Sequence, residues 1–559
     1  IVVPIDPSVF ATEIERLALE TMRVSLLREL SDTERALELV VDLDLRRDGS
    51  DRKLQLLATG DGGLTVSIVG AGIGNPLDLS RFTGSLRGRV SSDDMGSISE
   101  FFGADMSGKS DLLFWTDASA GQASTVFEVT GDALFPASDV RLPSIAFSVN
   151  GTATLESDQS WVNIAQAAVT LEQGPVQFND INVGLTTTGW ELLVNDLDLA
   201  SSAELLLETG LIPDSAREPL VAASISGTIN ALSLSGSLSD ESIQRVAVDF
   251  DDIFVQEDTP FPGISGLSGS LRLSGNAGQL QINSSDLTLG IPTQFPDPMQ
   301  LGNVNAVIDF GLTDDQVVIR NGRAAARADD FEAMALLTGE IPFSQASSRS
   351  PTLNVVLGSR RAPASRALAF TPMTIDPDAY RWMQTSLGTG EATRIGFILR
   401  GGVRKVDFPL RSIQLSALAD LDAVTMMPGL PPAESLIGHV GIDNGLVTFD
   451  VDSALVGGLD ISEGLVQVGK RDTIRMLTAQ ATIDGTLPVA VEQVAGIPYV
   501  PERVASELRD LTVDGRVRGY FDLSIPIKGA PKIPTLSTRV EVSEACLLYT
   551  SDAADESSS

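Results

Sequence analysis

The sequence predicts a mainly β protein: an elongated, repetitive antiparallel sheet with a few short helices. Three observations carry that prediction. Apolar and polar residues alternate with period two over most of the chain, as in IAFSVNGTATLE and WELLVNDLDLA. The alternating runs end at Gly, Asn, Asp or Ser turns such as Asn150-Gly151 and Gly131-Asp132, so 50 glycines are scattered between strands rather than clustered in linkers. A phrase of apolar-x-Gly, strand, turn, strand also recurs without fixed length, in SISGTINALSLSGSLS, GISGLSGSLRLSGNAGQLQINSSDLTLGI, FTGSLRGRV and LIGHVGIDNGLVTFDV. Imperfect supersecondary repetition of this kind fits a quasi-linear array, in which each unit buries its face against its neighbours. At 559 residues the chain is too long for one ordinary core.

Residues 1–35 are expected to be helical. Phe10, Ile14, Leu17, Met22, Leu26 and Leu30 recur at near-helical spacing after Asp6 and Pro7, and the polar positions mix Glu with Arg. A membrane-surface helix favours Lys and Arg there, so the expected role is packing on the sheet or plugging a groove. Residues 36–262 read as a procession of strands, with short helices expected at Ser97 to Phe102 and Pro213 to Val221. Residues 263–545 continue the strands. Within them Asp376 and Pro377 start a short helix over 377–387, in which Tyr380, Met383 and Leu387 share a face before Gly388 and Gly390 end it. The strands resume to Leu487, a second short helix is expected over 501–508, and Arg516 to Ile525 returns to alternation. The last stretch, 546–559, holds the single cysteine, Cys546, in CLLYTSDAADE. Back-translated, that peptide can match a sequencing adapter, and it is read as a cloning or assembly artefact. Chain ends at Ile1 and in this stretch are read as cut ends of a larger protein.

Several function classes are excluded or disfavoured. The 75 acidic against 39 basic residues give a net charge of −36, which repels nucleic acid and anionic headgroups alike, so no nucleic-acid partner is expected. The one histidine, His439, lies on an alternating strand without a second His or a nearby Cys, so neither a zinc site nor a Ser-His-Asp triad assembles around it. Gly70-Ala71-Gly72-Ile73-Gly74 runs into Asn75-Pro76 and reads as a turn, not a dinucleotide loop. The pairs Asp93-Asp94, Asp251-Asp252, Asp314-Asp315 and Asp329-Asp330 lack calcium-loop order and read as solvated turn charge. Arg360, Arg361 and Arg366 sit in a Pro- and Ala-rich loop, and the four tryptophans are dispersed. No window of about 18 uninterrupted apolar residues marks a membrane-spanning helix. No catalytic residue, metal site or cofactor is expected.

Alternation gives each strand two faces. Leu271, Leu273, Leu280 and Ile282 stand against Arg272, Gln279 and Gln281, and Ile395, Phe397 and Leu399 stand against Arg394 and Arg400. Val447 and Phe449 complete the set of candidate apolar-face residues. Two closed sheets would pack such faces into a filled core, whereas a single sheet curled into a trough would leave them lining a groove. Alternation alone is compatible with both.

Two stretches carry a resemblance. IDPDAYRWMQTSLGTGEATRIGFILRGGVRKVDFPL, from Ile375 to Leu410, places an aromatic-rich short helix before a strand, an RGG and a DFPL close. MMPGLPPAESLIGHVGIDNGLVTF, from Met426 to Phe449, places a proline-bearing lead-in before a strand, a Gly-Asn turn and a strand. Both resemble the AsmA-like superfamily and, within it, the YhdP branch of bacterial envelope proteins, with weaker likeness from about Gly263 to Ile527. The resemblance implies a β-groove, with the nine apolar residues above as its lining. It implies the periplasmic part of a protein held in the inner membrane of a Gram-negative bacterium by a segment outside this chain. That protein would conduct phospholipid between inner and outer membranes without catalysis. By count, about 30 strands spaced about 4.8 Å apart would span on the order of 140 Å if all lay in one sheet. The alternative is a structural or adhesive envelope protein of filled β-sandwich modules. A carbohydrate-active β-solenoid would need convergent carboxylates and aromatic platforms, which 5% aromatic content disfavours.

Overall fold

A computed structural model describes residues 15–548 apart from 31–32, 75–81, 97–106, 120, 135–144, 157, 172–173, 210–213, 240–241, 257–261, 293–294, 296, 344–349, 372–376, 403–411, 426–430, 472–473, 497–499 and 529–534. Among the described residues the chain forms 27 strands and six short α-helices. It divides into two units, one of Ile1–Gln256 with Ser268–Gly275 and one of Glu257–Leu267 with Asn276–Ser559. The division falls inside β14 (Gly263–Ser274).

In the first unit β1 (Arg16–Leu30) pairs with β2 (Thr33–Asp48), and each later strand pairs antiparallel with its sequence neighbour through β13 (Ile243–Val255). The second unit repeats this meander from β15 (Ala277–Gly290) to β27 (Thr535–Leu548). Among the described residues no pairing closes either sheet into a barrel. The mainly β, repetitive antiparallel architecture expected from alternation is the one observed. β27 continues through Cys546 to Leu548.

The N-terminal helix is corrected to a strand. Arg16–Leu30 is β1, and its near-helical spacing has a local cause. The register shifts between Leu19 and Met22, where Thr21 adopts φ 53° and its amide donates to Asp42 Oδ1 at 2.6 Å. This bulge moves the half-buried set from Leu17 and Leu19 to Met22 and Val24, so two runs of period two, one residue out of phase, imitate steps of three and four. The Gly70 to Gly74 stretch is corrected too: Gly70 to Ile73 belong to β4 (Thr65–Ile73), and only Gly74, at φ 95°, leaves it. Strands likewise hold Gly131-Asp132 (β7, Gln122–Leu134) and Asn150-Gly151 (β8, Ile145–Leu155), expected as turns, Asp251-Asp252 (β13), expected as turn charge, and Arg360-Arg361 (β19, Thr352–Pro363), expected in a loop. Cross-strand pairing on both sides of these residues overrides their local turn preference. The helix expected at Ser97 to Phe102 and the DFPL close at Asp407 to Leu410 lie outside the described residues.

The helices occupy three connections. α1 (Leu199–Thr209) and α2 (Asp214–Ala223) join β11 (Gly189–Asp198) to β12 (Ser226–Ser237). α3 (Arg366–Ala369) and α4 (Pro377–Ser386) join β19 (Thr352–Pro363) to β20 (Thr389–Gly402), and α5 (Leu487–Gly496) and α6 (Glu502–Arg509) join β25 (Ile474–Thr486) to β26 (Thr512–Lys528). In a meander, every connection leaving an odd-numbered strand lies at the same strand ends, so in the second unit both helix pairs share one edge. The opposite edge includes the tight turn Asn444-Gly445 (φ 49° and 93°) between β22 (Ala433–Asp443) and β23 (Leu446–Val456).

Candidate functional site

The sheet in each unit has one continuous apolar face, visible by following cross-strand partners, which share a face. In the second unit Ile282 on β15 stands opposite Ala306, and the row continues through Ala324, Ala335 and Leu357 to Phe397 on β20. From Phe397 it passes through Leu415 and Ile442 to Val447 on β23, then through Val468 and Leu477 to Ile525 on β26. Twelve consecutive strands contribute no polar side chain to this row. The adjacent row links Leu280 to Leu399 through Ile308, Gly322, Leu337 and Val355. Phe449 stands in the same face between Val440 and Val466. Ile395 follows a bulge at Arg394 (φ 51°) and pairs with Ser359 on that face. The seven candidate residues of this unit therefore lie on one surface.

In the first unit a row of the same kind runs from Leu19 through Leu43, Leu56 and Ile68 to Gly88 and Phe114, and on through Phe127, Gly151, Ile164, Ile181 and Val194 to Leu232 and Val248. Leu271 and Leu273 are half-buried on either side of the exposed Arg272. The Arg272 guanidinium reaches Asp249 at 2.6 Å, which puts Arg272 on Asp249's side of the sheet and both leucines on that of Val248.

Large side chains in these rows are half-buried, not sealed: Phe114, Phe127, Phe310, Phe397 and Phe449 all retain access to solvent-sized space. Buried clusters form at strand ends that helices cover and, in the first unit, around Phe82 with Ala118 and Ala123, while Val194 and Ala306 are buried within the rows. One cluster gathers Ala364, Leu421, Leu436, Val451 and Ala454 with Leu387 packed against it. Another sets Leu487, Val489 and Ala490 of α5 on Leu459 and Val517. At the turn end of β2 the first unit's apolar face finishes on Arg47 and, on β3 (Asp51–Gly60), Arg52, both bonded to the Gly49 carbonyl. Burial and then the neighbouring Arg47 push the Arg52 guanidinium down from its ordinary value.

The opposite face is mixed: charged and amide side chains are laced across its strands, and exposed apolar residues such as Leu57, Val126, Met334 and Leu336 stand among them. Arg46, then Arg16, hold Asp44 at a pKa of about 2. Amide groups of Asn195, Asn182 and Asn163 converge on Asp180 and lower it, and Gln279 with Asn321 does the same for Asp309. Arg89 pairs with Asp111 at 2.7 Å. His439 lies on this face with Nε2 2.7 Å from Ser416 Oγ across the strand pair. Asp330 is engaged by Arg366 at 2.8 Å, and Arg366 also lies over the Phe331 ring at 5.1 Å. Among the described residues no group of three or more His, Cys, Asp or Glu is placed to hold a metal, and no helix is long and apolar enough to cross a membrane.

Sequence reasoning missed α1 and α5. Asp198 caps α1 by accepting the Ser201 amide at 2.8 Å, and that Asp before an Ala- and Leu-rich run was the available signal. For α5 the signals were Pro488 in the first turn and Gly496 at the end.

The model of the YhdP protein family matches residues 11–551. The intermembrane phospholipid transporter YhdP of Escherichia coli (strain K12) is 22% identical over 308 residues, which are 54% of this chain and 24% of that protein. The chain thus spans about a quarter of the length of this curated relative. With a family match over nearly all of its length and the repetitive antiparallel sheet described above, the chain belongs to the YhdP family.

Proposed function

We propose that this chain is a periplasmic section of a conduit that shelters phospholipid acyl chains on its apolar face and passes them between inner and outer membranes without a covalent step. The observation that carries this reading is the uninterrupted apolar row over twelve strands of the second unit, half-buried at every position except the buried Ala306. The E. coli relative is an intermembrane phospholipid transporter, which supports phospholipid as the occupant. The energetics favour sliding. Each methylene removed from water contributes about 0.8 kcal/mol, so a whole acyl chain left in water costs on the order of 10 kcal/mol, while neighbouring apolar positions are nearly equivalent. Continuity of lining is what such a path requires. The opposite face, with its ion pairs and amide ladders, meets water. In this reading the intact protein is held in the inner membrane by a segment outside this chain.

The test places a photo-crosslinker singly at Leu273, Ile282 and Phe449, with Arg272 and Gln281 as opposite-face controls, and identifies attached lipid by mass. Phospholipid adducts on the apolar set alone are expected. Absence of adducts from both sets in folded protein overturns the conduit and returns the filled-sandwich envelope protein.

A further inference from the structure

Glycines recur on the apolar faces opposite bulky side chains. In the first unit Gly88 pairs with Phe114 on β6 (Ser107–Ser119), Gly151 with Phe127 on β7 (Gln122–Leu134), and Gly131 with Phe147 on β8 (Ile145–Leu155). In the second, Gly278 on β15 pairs with Phe310 on β16 (Met299–Leu312). In each case the ring leans across the sheet onto its glycine. A Cβ added at Gly151 would come within 2.9 Å of Phe127 Cζ, and one at Gly131 within 3.1 Å of Phe147 Cζ. At Gly88 and Gly278 it would overlap the ring itself, and the three nearest atoms are all ring atoms, with no backbone among them.

Backbone conformation does not explain these two glycines. Neither Gly88 nor Gly278 has a positive φ, and glycine inside a strand is unfavourable unless something needs the space. The ring needs it. A ring lying flat adds about one contact layer, roughly 3.5–4 Å, to the floor of the face, whereas a ring displaced by a methyl group must turn upright and project further.

We propose that these glycine–phenylalanine pairs set the clearance above the apolar face, making Gly88 and Gly278 specificity-determining positions for the number and bulk of acyl chains held there. The proposal rests on the conduit reading. It assigns a physical role to the Leu86-Arg87-Gly88 step of the sequence: there the glycine marks where a neighbouring strand's phenylalanine is laid down.

The experiment uses the full chain carrying a photo-crosslinker at Ile282, with lipid adducts quantified and their acyl composition read by mass. Gly278→Ala is expected to lower adduct yield at least fivefold and to shift the recovered lipids toward shorter chains, with the β-type circular dichroism spectrum kept. Adding Phe310→Ala to Gly278→Ala is expected to restore wild-type yield. Phe310→Ala alone, which adds no atoms, is expected to admit bulkier lipids, and keeps the proposal testable if Gly278→Ala does not fold. The proposal is overturned if Gly278→Ala captures the same lipids in the same yield as wild type, if the folded double variant fails to recover, or if Phe310→Ala leaves the lipid profile unchanged. Absence of adducts in the wild-type chain strikes the conduit reading itself. Wild-type adducts that ignore Gly278 strike only the clearance role.

Discussion

Truncating Phe397 measures whether the apolar face is open or sealed. Phe397 lies mid-row between Leu357 and Leu415, and its contacts come from lateral neighbours in the same sheet. Full burial of such a side chain is worth about 1.5–3 kcal/mol. Because Phe397 is only half-buried and its loss leaves no closed cavity, Phe397→Ala should cost about 1–2 kcal/mol. Leu436 supplies the internal contrast. It is 2% exposed within the cluster under the α3–α4 connection, so Leu436→Ala creates a cavity and should cost about 2–5 kcal/mol. Native-state hydrogen exchange reads both locally, without assuming that two units unfold together. Amides of β19 and β20 should exchange roughly 5–30-fold faster in Phe397→Ala, at about 1.4 kcal/mol per decade. A loss above about 3 kcal/mol, equal to or larger than that of Leu436→Ala, would refute the reasoning, because only a second packed layer over Phe397 produces it.

Two further outcomes follow from the polar face and the turns. Asp44 titrates in the folded protein at about 2, below its unfolded value of about 3.9. Its contribution to holding β1 on β2 is therefore present above pH 3.9 and lost as pH falls toward 2. Carbon-13 titration of the Asp44 carboxyl should show the low midpoint and a larger upward move in Arg46→Ala than in Arg16→Ala; a wild-type midpoint near 3.9 contradicts the geometry. In the Asn444-Gly445 turn, Gly445 sits at φ 93° with open space where a side chain would go. Gly445→Ala should destabilise β22 and β23 by about 1–2 kcal/mol through backbone strain alone, read by exchange of their amides; a neutral result refutes the left-handed assignment.

Much of the fold was legible because a single pleated layer writes its geometry directly into alternation. Leu280, Ile282, Ile395, Phe397, Leu399, Val447 and Phe449 could be placed on one face before any register was known, since period two fixes facing within each strand and the meander carries it to the next. What failed is equally physical. The Thr21 bulge changes the parity of β1, and parity is what distinguishes a strand from a helix over fifteen residues. α1 and α5 were hidden because Leu197 and Val489 fall in apolar runs that continue the preceding strand's pattern. Whether apolar faces are covered is a property of distant segments, so alternation alone does not distinguish the half-buried Phe397 from Leu436, which is 2% exposed.

In both units each strand finds its hydrogen-bonding partner in the strand just before or after it in sequence. Loop-closure entropy is then small at every step, and no early strand waits for a late one. Such a chain is able to zip up hairpin by hairpin from one end, with each new strand sealing the edge left by its predecessor. Growth of the sheet by duplication of a strand pair would leave every existing register untouched, so length can change in evolution without redesigning what is already folded.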